Sequence, residues 1–136
     1  MVKCDCKDMV EVLDTVEKTA KSGYCKKMKE LARARIPELR PGRDIAGLNI
    51  NRSQNQDAVL GQSRGTVKVG EEQCAACNGG FGNFTECVVM TVEGKPISKG
   101  ACMNCHYGSM GDRCTFHLSK TTIHGPRTAA DILNRS

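Results

Sequence analysis

Six cysteines within 41 residues, spaced C-x2-C-x9-C-x14-C-x2-C-x8-C, constrain this chain more than any other feature. They are Cys74, Cys77, Cys87, Cys102, Cys105 and Cys114. Two residues between thiols let both sulfurs of a C-x2-C pair converge on one ion within a tight turn, at roughly 2.3 Å for zinc. A second pair 24 residues further on completes a tetrahedron. The composition makes such cross-links necessary. Leu, Ile, Val and Phe number 26 of 136 residues and Trp is absent, a leanness that borders on disorder. Scaffolds with so little to bury commonly depend on metals or disulfides.

Metal is the expected choice. The total of nine cysteines is odd, and the opening MVKCDCKDMVEV has no continuous apolar core of a secretory signal. Both point to a reducing compartment, nuclear or cytoplasmic, where clustered thiols hold metal rather than form disulfides. The expected cofactor is Zn2+, one ion or two. No run approaches the roughly 18 apolar residues of a membrane helix, so no membrane partner is expected.

Between the pairs, Val88 to Val92 is rich in β-formers, Glu93-Gly94 supplies a turn and Lys95 to Lys99 returns the chain. The predicted fold is a small α+β zinc-stabilised domain, with zinc-ribbon-like knuckles and a hairpin, preceded by an N-terminal helical segment. CAACNGGFGNFTEC and CMNCHYGSMGDRC look like two copies of one unit, each with three thiols. Three arrangements satisfy the ligand count: two zincs sharing thiolates, recruitment of His106, His117 or His124, or one Cys74, Cys77, Cys102, Cys105 site with Cys87 and Cys114 nearby. His117 is the candidate extra ligand, from the Cys114-x2-His117 spacing. His106 adjoins Cys105 and points away from an ion bound there. Cys4, Cys6 and Cys25 lack ligand spacing and are expected to be free thiols.

The chain divides by composition into a basic helical segment (1–42), the cysteine-rich domain (43–118) and a tail with a candidate short helix (119–136). Val10, Leu13, Val16 and Ala20 recur at helical period, Asp5 or Asp8 can cap the start, and a second helix resumes after Gly23 through Tyr24, Met28, Leu31 and Ala32. Pro37 and Pro41-Gly42 end it. Asn55 to Gly61 is a further short helical candidate in an otherwise polar stretch. Lys26, Lys27, Lys29, Arg33 and Arg35 form the basic focus and are the candidate nucleic-acid contacts.

The six-cysteine order is similar in topology to that of fungal binuclear zinc-cluster regulators. Those carry a basic helix after the first pair that enters the major groove, whereas Asn78 to Glu86 holds no Lys or Arg. Over Arg43 to Phe116 the chain resembles a fungal cysteine-rich family of uncharacterised function, through NRSQNQDAVLGQSRG, CAACNGGFGNFTECVV and GACMNCHYGSMGDRCTF. That resemblance implies a zinc-binding module and supplies no reaction. An enzyme is not expected: the chain has no Ser–His–Asp order, P-loop, dinucleotide turn or H-x-E before a C-x2-C pair, and no small-molecule substrate is evident. The expected role is an interaction module for a protein partner, contacted through Phe81, Phe84, Met103, Tyr107 and Met110 in glycine-rich loops, although Phe84 and Phe116 also suit a small core. DNA or RNA binding through the basic segment is the alternative.

Overall fold

The computed structural model describes residues 6–109 and 114–116. Helix α1 (Met9–Thr19) begins where the Asp8 carboxylate accepts the Glu11 N–H, filling one of the open donors of the first turn. Val12, Leu13 and Val16 form its buried stripe. Ser22 caps α2 (Gly23–Met28) in the same manner through the Cys25 N–H. The Gly23 break thus lies where the sequence places it. The second helix, however, ends at Met28 and not beyond Leu31. Ala34 and Arg35 instead donate their N–H groups to the Ser63 carbonyl, and Leu39 bridges to Phe84.

The spine of the molecule is α3 (Ser53–Arg64), longer than the Asn55–Gly61 candidate, with every residue from Asn55 to Ser63 buried. Its burial is largely polar. Asn55 donates to the Asn49 carbonyl at 2.7 Å and accepts the Gly108 N–H at 2.7 Å. Gln56 donates to the Ile50 carbonyl and Gln62 to the Glu86 carbonyl. Each buried amide therefore ties a loop that would otherwise leave a carbonyl unpaired. Helices α1 and α2, the short helix α5 (Met103–His106) and strand β2 all contact this spine.

Two small antiparallel sheets complete the fold. Strand β1 (Thr66–Lys68) pairs with β2 (Cys87–Val89), and β3 (Thr91–Val92) pairs with β4 (Lys95–Pro96). The single strand expected over Val88 to Val92 is thus split between two partners. At the tip of the second hairpin, Glu93 and Gly94 both adopt positive φ (53° and 78°), the conformation that matches strand twist across a two-residue turn. Gly65 joins α3 to β1 so closely that a Cβ there would overlap the Val89 carbonyl oxygen. The helix–sheet junction depends on that missing side chain. One apolar cluster runs from Leu13 and Met28 through Leu60 to Phe84, Met90, Ile97 and Met103, so α1 and α2 share a core with the cysteine-rich part. No helix among the described residues is long and apolar enough to cross a membrane.

An ion-pair node fixes α1 to α3. Glu17 accepts from Arg33 at 2.7 Å and from Arg64 at 2.6 Å, and the Arg64 side chain is only 4% exposed. The Arg33 hydrogen bond first, and the Arg64 bond against the cost of burial, hold the Glu17 carboxyl at about 2. A lowered carboxyl pKa stabilises the fold fully above the unfolded value of 4.5 and loses that contribution as pH falls towards 2. Glu17→Gln should cost about 1–2 kcal/mol at pH 7, because it leaves Arg64 buried without its anion. Protons also compete for thiolates in acid, so the quantity to measure is the difference in urea stability between wild type and variant. That difference should shrink between pH 4.5 and the acid limit; a constant difference would refute the assignment.

Candidate metal centre

Each C-x2-C pair is built by one local device used twice. Cys74 is the N-cap of the one-turn helix α4 (Ala75–Asn78), with φ −64° and ψ 159°, and its sulfur accepts the Cys77 N–H at 3.4 Å. Cys102 caps α5 with φ −69° and ψ 159°, and its sulfur accepts the Cys105 N–H, also at 3.4 Å. The third cysteine of each half closes back on the first. Cys87 Sγ accepts the Cys74 N–H at 3.5 Å, and Cys114 Sγ accepts the Cys102 N–H at 3.3 Å. A sulfur at a helix start, facing backbone donors, is well placed to serve as a metal ligand.

The two halves bring their sulfurs together. Cys74 Sγ lies 3.8 Å from Cys102 Sγ and 3.7 Å from Cys105 Sγ, and Cys77 Sγ lies 3.6 Å from Cys102 Sγ. Those are the edges, about 3.8 Å, of a tetrahedron with metal–sulfur bonds of roughly 2.3 Å. The sulfurs of Cys74, Cys77, Cys102 and Cys105 all lie within 4.8 Å of one another and could hold a metal ion. All six cysteines are buried. In this dry cluster, hydrogen bonds from Cys102 and Cys105 push Cys74 and Cys77 towards thiolate, Cys77 to about 4, whereas Cys102 is raised by its bonds to Cys105 and Cys114. Like charges this close cannot all ionise without a cation among them.

Residues with no metal-ligand signal support the centre. Asn104, between the second pair, is 2% exposed and fully used. Its Nδ2 contacts Cys77 Sγ at 3.3 Å, the Phe81 carbonyl at 3.1 Å and the Phe84 carbonyl at 3.2 Å, while its Oδ1 accepts the Phe84 N–H at 2.9 Å. One amide thus locks the loop after the first knuckle to the second. Asp57 on α3 accepts from Ser22 Oγ at 2.7 Å and Cys25 Sγ at 2.9 Å, with His106 Nε2 at 3.9 Å from its other oxygen. His106 thus faces α3, away from the sulfurs. The buried location works against the Asp57 charge, but the His106 ring and the two hydrogen bonds outweigh it and keep the carboxyl below its ordinary value. Burial first, and then the bond to Asp57, push the Cys25 thiol up to about 12. It is outside any disulfide and donates to Asp57. Cys6, expected to be free, is disulfide-bonded.

The candidate contact residues separate by burial. Phe84 and Met103 are fully buried and Tyr107 is 9% exposed, with Phe84 and Tyr107 meeting edge to face. Phe81 is 57% exposed. It borders a cleft of about 260 Å³ with Arg43, Asn83, Asn104 and Tyr107. Of the five basic candidates, Lys27 pairs with Glu93 and Lys29 donates to the Glu17 and Ala20 carbonyls. Arg33 pairs with Asp14 and Glu17, and Arg35 donates to the Gln62 and Gly65 carbonyls. Lys26 is exposed. His117, Met110 and the 119–136 tail lie outside the described residues.

Residues 58–117 match the family model described as a protein of unknown function (DUF3716). The match runs from the middle of α3 to just past the sixth cysteine, so it covers every sulfur of the cluster and leaves out α1 and α2. No curated protein and no solved structure matches the chain.

Proposed function

We propose that this chain is a non-enzymatic zinc-binding module that presents a surface to a protein partner. The observation that carries the reading is the closed, all-sulfur donor set at the junction of the two knuckles. Thiolate-only sites of this kind serve structure, whereas a catalytic zinc keeps a position open for water. The ion fixes the glycine-rich loop 79–83, and with it the exposed Phe81 beside Arg43 and Asn83. An exposed aromatic on a rigid loop is the residue type from which interface anchors are made. The zinc identity also accords with the fungal cysteine-rich domains that the motifs resemble.

Nucleic-acid binding is the weaker reading, because the cationic heads of Lys27, Lys29, Arg33 and Arg35 are engaged within the chain. Phosphate binding would have to break those bonds. A photo-reactive residue at position 81 should crosslink a protein in cells far more than one at the equally exposed Val69. Mobility shift with duplex DNA and single-stranded RNA should detect no binding at physiological salt. Equal crosslinking at the two positions, or binding that falls steeply with salt as counterion release requires, would count against the proposal.

A further inference from the structure

The sulfurs can be divided among metal ions by asking which knuckle each outer cysteine closes back on. Cys87 Sγ accepts the Cys74 N–H and so joins Cys74 and Cys77, to which Cys102 Sγ adds a fourth sulfur, 3.8 Å from Cys74 Sγ and 3.6 Å from Cys77 Sγ. Cys114 Sγ accepts the Cys102 N–H and so joins Cys102 and Cys105, to which Cys74 Sγ adds a fourth sulfur, 3.8 Å from Cys102 Sγ and 3.7 Å from Cys105 Sγ. Each set holds four sulfurs, the number a tetrahedral zinc needs. Cys74 and Cys102 belong to both sets, and they are the two helix-capping cysteines that stand 3.8 Å apart. The sets are related residue for residue: Cys74 to Cys102, Cys77 to Cys105, Cys87 to Cys114, with the same pattern of N–H donation in each half.

We infer that the centre holds two divalent ions, one bound by Cys74, Cys77, Cys87 and Cys102 and the other by Cys102, Cys105, Cys114 and Cys74, with Cys74 and Cys102 bridging. The inference rests on the zinc reading above and specifies the chemistry of the same site. A single ion at the four inner sulfurs would leave Cys87 and Cys114 as spectators. Yet both are at most 1% exposed and turned inwards, and each accepts a backbone N–H from the first cysteine of a knuckle. Five of the six sulfurs accept an N–H, from Cys74, Cys77, Cys102, Cys105 or the Asn104 side chain. Such donors suit a metal-bound sulfur, so Cys87 and Cys114 are equipped as Cys74, Cys77 and Cys102 are.

The charge also balances. Six thiolates and two divalent ions leave an overall charge of about −2, the same as one ion on four thiolates, and the sulfur protons pass to solvent on loading. The donated N–H groups spread over that charge. The Arg40 guanidinium adds a cation beside it, bonded to the Cys77 carbonyl at 3.2 Å.

The test is native mass spectrometry of the full chain purified with zinc, followed by exchange for an NMR-active cadmium isotope. Two ions per chain are expected. Two cadmium resonances should appear, with the Cβ protons of Cys74 and Cys102 correlating with both and those of Cys77, Cys87, Cys105 and Cys114 with one each. One ion per chain, or two resonances sharing no cysteine, overturns the bridged cluster and leaves the zinc reading standing. No bound ion overturns both.

Discussion

Cys102→Ser should leave a chain with no folded cysteine domain. Structural zinc contributes roughly 10–16 kcal/mol of folding free energy in small domains, and the whole stability of a domain is about 5–15 kcal/mol. Loss of a central ligand is therefore larger than the margin available. The damage should not stop at the knuckles. Helices of 11 and 6 residues are marginal on their own, and α1 and α2 complete their burial against a cluster that includes Met90, Ile97 and Met103. Hydrogen exchange should show protection lost in α3, β2 and α5, and also in α1. Cys25→Ser keeps a donor for Asp57 at the same place, and should retain zinc and protection. A Cys102→Ser chain with normal zinc content and exchange would refute the role given to that sulfur.

Asn104→Ala should be nearly as damaging without removing any ligand. The substitution strips the partner from the Phe84 N–H and from the Phe81 and Phe84 carbonyls, and one donor from Cys77 Sγ. Each buried group left unpaired costs about 1–3 kcal/mol, so a total of about 3–5 kcal/mol is expected, allowing for some access of water. Asn104→Asp is the sharper variant. It keeps the oxygen for Phe84 but brings a negative charge and no donor towards a sulfur and two carbonyls. It should lose more zinc to a competing chelator than the alanine variant does. Chelator-dependent metal release and urea unfolding together measure both effects. Wild-type behaviour in either variant would show that the amide does not hold the knuckles together.

The sequence made the knuckles legible because ligand chemistry demands fixed spacing. Cys74-x2-Cys77 and Cys102-x2-Cys105 could be read as converging pairs, and the likeness of the two halves appears in the structure as matched N–H donation. The start of α1 was legible to within a turn, since Asp5 or Asp8 before an apolar stripe is a local signal, and Asp8 is the residue that caps it. What stayed hidden was whatever depends on distant partners. The α3 helix has no apolar stripe of helical period, because its buried positions include Asn55, Gln56, Asp57, Gln62 and Ser63. Ala58, Val59 and Leu60 mark Asn55 to Gly61 as a short helical candidate, but periodicity does not show that the helix runs from Ser53 to Arg64 or that its polar residues are buried. Strand β1 lies upstream of the first knuckle, and nothing local tells Val67 that Val88 is its partner. The basic segment reads as one charged face; only tertiary contact reveals that Arg33 and Arg35 are turned inwards onto Glu17 and onto the Gln62 and Gly65 carbonyls. Asn104 carried a faint signal, as a polar residue where the first pair has Ala76.

The polar spine has a thermal consequence. On unfolding, newly hydrated apolar surface raises the heat capacity and newly hydrated polar surface lowers it. When α3 unravels, its five buried polar residues, together with the loop carbonyls that they pair, enter water beside only Ala58, Val59, Leu60 and Gly61. The two contributions offset one another, and the rest of the core is small. Such a chain should have a shallow stability curve: cooling should weaken it little, and its resistance to heat should be set by enthalpy gathered in hydrogen bonds.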